Sequence, residues 1–290
     1  MATTKENVNN EVLVTTTTNK NKENDNHASV SFILTGFGPF RGVKNNPTTV
    51  IANNITEYLV QQEKNTTEDD NNKNCNNKNC IIEATQVIET SAEGSRREID
   101  ELMRRLQQRH HEKEEQQRKD DDDESTTSLE NTTKKIVIIL HLGVNYKGTN
   151  FQLERFAYNE ADFRIPDEKG YQPRNKKIYE DNDIADEYSY RLQTRIDLEN
   201  IQKHVSMENN KDYNLNEGED AIITISTDPG RFVCNYTYYC SLRNFEQMEN
   251  VYPIFVHVPP FSKVPQNEQF EMIAEIMTAI QNQVLVEEGE

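Results

Sequence analysis

Short continuous apolar runs alternate along this chain with stretches in which apolar residues recur every third or fourth position. VSFILT at 30–35 reads as a strand, and residues 47–60 then carry Val50, Ile51, Ile55, Tyr58 and Leu59, with Asn54 as the one polar member, on a helical stripe. CIIEATQVIE (80–89) predicts a second strand. SRREIDELMRRLQQR opens with Ser95 and Glu98 in the spacing of a capping box and places Ile99, Leu102, Met103 and Leu106 on one face. KKIVIILHLGV (134–144) is apolar without alternation, as expected of a strand covered on both faces. The second half repeats the idea, with a helix predicted at 184–205, a strand at 221–227 (AIITIST) and a helix at 231–244. PIFVHV (253–258) is a strand ended by Pro259 and Pro260. A last helix, 267–285, carries Phe270, Ile273, Ala274, Met277, Ile280 and Val284. Strand and helix in alternation predict a three-layer α/β/α sandwich with a largely parallel, mixed sheet.

Three stretches break the rhythm. Residues 1–29 are polar, rich in Thr and Asn, and without period, and 61–79 look the same. Residues 111–130 hold nine acids against three bases, which is six of the 18 net negative charges. Such segments bury too little apolar surface to offset chain entropy, so they are predicted to be disordered. They lower the hydrophobic fraction to 34%. The expected organisation is a tail at 1–29 and one α/β domain over 30–290, with low-complexity insertions at about 61–79 and 111–133.

The acidic balance argues against nucleic acid and anionic membrane as partners, since both call for a basic face. The first residues lack the apolar core of a secretory signal, and no apolar run approaches a membrane span. Four cysteines (Cys75, Cys80, Cys234, Cys240) in 290 residues do not make a disulfide scaffold. A cytoplasmic enzyme is the expectation.

Two places invite chemistry. The turn LTGFGPFRG (34–42) leaves the first strand with Gly36, Gly38 and Gly42, one residue off the G-x-G-x-x-G dinucleotide fingerprint. The next helix starts later, with Asn46 as N-cap and Pro47 at its first position, so no helix N-terminus faces this turn. The nucleotide reading is therefore weak. The second place is the end of the sheet. After AIITIST comes DPGRFVCNYTYYCSL, which puts Cys234 in the first turn of a helix, while His257 lies at the end of its strand. If both strands finish at one sheet edge, thiol and imidazole meet where open α/β sheets bind ligands. A helix N-terminus lowers a thiol's pKa from ~8.5 toward ~4–7, and an imidazole beside it can later protonate a leaving amine. Either residue alone is more often structural.

TGFGPF with Asn46-Pro47, LERFAYNEADFRIPDEKGYQP (153–173), STDPGRFVCNYTYYCSL (226–242) and FVHVPP (255–260) together resemble the pyroglutamyl peptidase I family of cysteine peptidases. The motifs run in that family's order across nearly the whole predicted core. The resemblance implies an α/β/α sandwich and a Cys–His–Glu set, with Cys234 as nucleophile, His257 as general base and acid, and Glu154 as the carboxylate that orients the imidazole. It places Arg164 near the scissile carbonyl. Phe37 and Phe40 would cover the faces of the lactam ring, with Asn46 contacting the ring amide or organising the loop. Phe232, Val233 and Ile165 would close the pocket. The implied partners are N-terminally pyroglutamylated peptides, with no cofactor and no metal. A homo-oligomer is compatible with the resemblance, but no stoichiometry is carried over.

The chain departs from the family in places. Residues 87–95 (VIETSAEGS) lack the proline-valine pair that many bacterial-type members carry there, and the charged span 174–220 is longer than in compact members. Cys75 and Cys80 form C-x₄-C in an Asn/Lys tract, without the further ligands at a recognisable spacing that a metal site needs. Two other readings stand beside the peptidase: a non-catalytic pyroglutamyl-peptide-binding homologue on the same fold, and a nucleotide-binding α/β module.

Overall fold

The apolar run at 136–142 lies in the middle of the fold, where both of its faces are covered. The computed structural model describes residues 28–40, 43, 45–65, 80–121, 134–180, 190–208 and 222–287. In chain order the elements are β1 (Ser29–Phe37), α1 (Pro47–Asn65), β2 (Ile81–Ile88), α2 (Ala92–Asp121) and β3 (Lys135–Val144), followed by the short strands β4 (Phe151–Glu154), β5 (Phe156–Tyr158) and β6 (Arg191–Gln193). Then come α3 (Leu198–Glu208), β7 (Ile223–Ser226), α4 (Val233–Asn244), β8 (Val251–Val258) and α5 (Gln266–Glu287). One sheet has the order β2-β1-β3-β8-β4-β7, while β5 and β6 form a separate antiparallel ribbon. β2, β1, β3 and β8 are parallel, β4 is antiparallel to β8, and β7 runs with β4. The predicted α/β/α sandwich with a largely parallel, mixed sheet is the fold adopted.

Alternate residues of β3 enter two separate cores. Ile136, Ile138, Leu140 and Leu142 pack with α1, α3 and α5, while Val137 and Ile139 pack with α2 and α4. Each such side chain contributes about 1.5–3 kcal/mol on burial, which is why neither face of this strand tolerates a polar alternation. Gly36 serves the same packing. A Cβ on it would lie 2.2 Å from the carbonyl oxygen of Thr48, so only glycine lets α1 begin against β1. The glycine-rich turn is thus explained by close helix–strand approach.

Four expectations need correction. First, α2 begins a turn earlier than the Ser95–Glu98 capping box predicts. Ser91 Oγ accepts the Gly94 N–H at 2.9 Å and caps the helix, whereas Ser95 is buried under the Thr237 hydroxyl and Glu98 pairs with Gln86. Second, α1 runs through 61–65 and α2 through 111–121, so these parts of the two insertions are helical. Beyond the apolar stripe that ends at Leu106, strong helix formers and pairs such as Gln108–Glu112 (2.8 Å) carry α2 onward. Residues 1–27, 66–79 and 122–133 lie outside the described residues. Third, 184–205 is not one helix. Arg191–Gln193 is a strand, and α3 starts only at Leu198, where Asp197 Oδ1 accepts the Asn200 N–H (3.1 Å). Residues 181–189 lie outside the described residues. Fourth, β7 is antiparallel to β8, so its carboxyl end does not finish at the edge where His257 lies. The chain leaves β7 level with Phe255 and turns through Thr227–Phe232, with Gly230 at φ 78°, before α4 begins.

His141 on β3 is fully buried between the Thr35 hydroxyl (2.8 Å) and the Ser241 hydroxyl (2.9 Å). Burial pushes its pKa down, to about 3. The native ring therefore stays neutral, while the unfolded chain takes up a proton below about pH 6.5. Stability should fall with decreasing pH by about 1.4 kcal/mol per unit in that window from this group alone. Urea unfolding at pH 7 and pH 5 should show a smaller loss for His141→Gln than for the unmodified chain. An equal loss in both would remove the assignment.

Candidate active site

α4 is aimed so that its first turn lies over the carboxyl ends of β3 and β8. Cys234 is its second residue, and its sulfur lies near enough to His257 to act on the charge of the imidazole. His257 Nδ1 lies 2.7 Å from Glu154 Oε1. Glu154 ends β4, directly opposite Phe255, and reaches diagonally along the antiparallel pair to His257. The side chains of Glu154 and His257 are 1% and 9% exposed, so neither charge is screened by solvent. Burial alone would pull the imidazole pKa down. The Cys234 sulfur and then the Glu154 carboxylate more than offset this, and the pKa of His257 is raised, to about 10. Burial pushes Cys80 up to about 11 and Cys240 up to about 12. All three described cysteines are free.

The neighbouring shell holds this constellation still. The Tyr238 hydroxyl donates to the main-chain oxygen of Glu154 (3.0 Å). Asn235, beside Cys234, accepts the Tyr158 N–H (2.8 Å) and donates to the carbonyls of Tyr158 and Glu160 (2.9 Å each), tying the helix tip to β5. Asp167 accepts the Ala92 N–H at the start of α2 and the N–H groups of Lys169 and Tyr171, all at 2.9 Å. That anchors the loop carrying Arg164 and Ile165. Asn235 and Asp167 stand inside the quoted motifs, but nothing in their spacing announced a bracing role.

The sequence-predicted pocket residues divide into two sets. Phe40 faces Phe232 (centroids 6.4 Å), and Phe232 meets Phe163 edge-on (4.8 Å), giving an aromatic wall beside the start of α4. Phe37 and Val233 lie instead in the core, with Phe37 against Phe255. Asn46 is buried. Its Oδ1 accepts the Thr48 N–H (3.1 Å) as helix N-cap, and its Nδ2 donates to Gly38 O (3.1 Å), which also accepts from the Thr90 hydroxyl (3.0 Å). It therefore both caps α1 and organises the loop. Arg164 and Ile165 are exposed, in a loop joined to the α4 approach by the Asp162 N–H to Arg231 O bond (3.0 Å). A cleft of about 310 Å³ lined by Leu106, Lys135, Met248 and Val251 lies at the opposite edge of the sheet and shares no residue with this site. Among the described residues no group of His, Cys, Asp and Glu could hold a metal ion, and no helix is long and apolar enough to cross a membrane.

A half-buried thiol, an imidazole and a buried carboxylate are thus brought together at one edge of an α/β/α sheet. Residues 117–280 match the pyroglutamyl peptidase family over more than half of the chain, and the chain belongs to that family. It is 36% identical over 125 residues to pyrrolidone-carboxylate peptidase of Thermococcus litoralis, covering 42% of this chain and 48% of that protein. It is 29% identical over 126 residues to human pyroglutamyl-peptidase 1, covering 43% and 51% respectively. These alignments span about half the length of the curated relatives. In three dimensions the chain is similar to the T. litoralis pyrrolidone carboxyl peptidase, with a TM-score of 0.57 at 21% identity over 90% of this chain and 96% of that one. It also resembles Bacillus amyloliquefaciens pyroglutamyl peptidase I, with a TM-score of 0.55 at 18% identity over 87% and 97%. At these identities the structural likeness speaks for the fold.

Proposed function

We propose that this chain is a cysteine peptidase that removes the N-terminal pyroglutamyl residue from peptides. The observation that carries the reading is the Glu154 carboxylate held 2.7 Å from His257, with the Cys234 sulfur near enough to act on the charge of that imidazole. The Cys234 sulfur, its proton passed to His257, attacks the carbonyl that joins pyroglutamate to the next residue, forming a C–S bond and a tetrahedral oxyanion. Arg164 and the N–H groups at the start of α4 stabilise that oxygen. Collapse expels the peptide amine, which takes its proton from His257. The imidazole then draws a proton from water, whose oxygen displaces the sulfur and releases pyroglutamate. These steps use only side chains and water. Glu154 holds the imidazole in one orientation and favours its charged form.

Specificity follows from the aromatic wall. Phe40 and Phe232 suit the flat, uncharged lactam, and Ile165 borders the same loop. A free glutamine or glutamate terminus brings an ammonium that must be desolvated there. A cytoplasmic, reducing setting suits an enzyme whose thiol must stay free. The test is release of a fluorescent amine from its pyroglutamyl amide, compared with the glutaminyl amide. Cleavage of the first at least about 100-fold faster is expected. Equal rates, or no release by folded protein with reduced thiols, would sink the reading.

A further inference from the structure

β3 ends His141-Leu142-Gly143-Val144, and Gly143 is the one small residue in the row that faces α4. Val137, Ile139 and His141 fill the space under the helix, and the row empties at 143, where the helix tip arrives. A Cβ on Gly143 would lie 3.0 Å from Cys234 Sγ and 2.8 Å from Cε1 and Cζ of Phe255. Its backbone does not call for glycine, because among the described residues only Gly170 and Gly230 are glycines with positive φ. Glycine inside a strand weakens it and marks a site where another group approaches closely. Here two groups approach, the edge of the Phe255 ring and, slightly farther off, the Cys234 sulfur. Gly143 is the register partner of His257, so a sulfur seated above its Cα lies on the same face of the sheet as that imidazole.

We propose that Gly143 is a positioning residue: its missing side chain forms the seat that holds Cys234 Sγ against β3 and within reach of His257. The seat deepens the peptidase reading and rests on Cys234 being the nucleophile. A methyl group there pushes the sulfur outward, and a displacement of about 1 Å costs on the order of 100-fold in rate. Gly143→Ala should lower kcat by about that factor while KM changes by less than about threefold, because the pocket wall is untouched. Alkylation of Cys234 by iodoacetamide, followed by peptide mapping, should change in rate and pH profile. A role confined to core packing would leave the alkylation profile alone.

The decisive measurement does not depend on turnover. Gly143→Ala is compared by thermal unfolding in two backgrounds, with Cys234 present and with Cys234→Ala. If the space belongs to the sulfur, removing the sulfur makes room, and the loss of Tm shrinks to about half or less. Equal Tm losses in both backgrounds assign the space to Phe255 alone and overturn the proposal, as does full kcat in Gly143→Ala. A wild-type chain that releases no amine while the coupling persists sinks the peptidase reading and leaves the seat standing.

Discussion

Cys234→Ala is expected to abolish release of amine from a pyroglutamyl amide, by about 10⁴-fold or more, with the fold intact. The expectation rests on where the sulfur sits. Cys234 is only partly buried, at the edge of the core that packs α2 and α4, so truncating it removes one sulfur and no whole core side chain. Its loss should cost no more than about 1–2 kcal/mol of stability. Chemically, removing the nucleophile of a triad costs about as much as removing all three members, because the remaining groups have nothing to activate. Cys234→Ser should be similarly impaired, since an alkoxide is far harder to form than a thiolate. The companion measurement is thiol labelling. Cys80 and Cys240 are held protonated by burial, so alkylation near neutral pH should map to Cys234 ahead of both. Substantial turnover in Cys234→Ala would remove the nucleophile assignment and with it the acyl-enzyme.

How much of this was legible depends on what each segment buries. β1, β3, β8 and α5 were read within a few residues, because each is apolar along a run or a stripe that one or two cores demand. β4, β5 and β6 gave no such signal. They are three or four residues long, and the polar members of β4 face the site, as Glu154 does toward His257. A strand whose inward side chain is a carboxylate looks like a polar turn when read alone. The reversal of β4 and β7 was hidden for another reason. Alternation of strands and helices implies crossovers, but it carries no record of a strand inserted backwards between β8 and the edge. Thiol and imidazole were expected together on the assumption that β7 and β8 end at one edge. They meet because a six-residue turn brings α4 back to it.

The candidate site shows the same division. Glu154 is hydrogen-bonded to His257, with Cys234 near that imidazole, yet Glu154 had no independent signal in the sequence. Gly36 and Gly143 were both visible as glycines, but what each admits, a helix carbonyl in one case and a sulfur in the other, depends on neighbours far away in the chain. Asn46 was assigned two roles, and its two side-chain polar atoms serve both, one in the N-cap and one in the loop.

Glu154→Gln is the second large expected effect, and it separates orientation from charge. The side chain is buried, with Oε1 on His257 Nδ1 and Oε2 without a protein partner, so nothing else in the site replaces its charge. Glutamine keeps the volume but is neutral, and its amide can present a donor to Nδ1, favouring the wrong tautomer. A loss of about 10²- to 10⁴-fold in kcat is expected. The pH dependence should move as well. In the unmodified chain the imidazolium persists to about pH 10, and it must be present to protonate the leaving amine, so the alkaline limb of the rate profile reports its loss. Without the carboxylate, burial acts on the ring with less opposition, the pKa falls, and the alkaline limb should shift down by about one to three pH units. Stability carries the matching sign. A raised folded pKa stabilises the native state fully below the unfolded value of about 6.5 and ceases to do so as pH rises through about 10. Glu154→Gln should therefore lose stability most at and below neutral pH and converge on the parent chain in alkali. A rate profile lowered in height but unmoved along the pH axis would show that Glu154 orients the ring without supporting its charge.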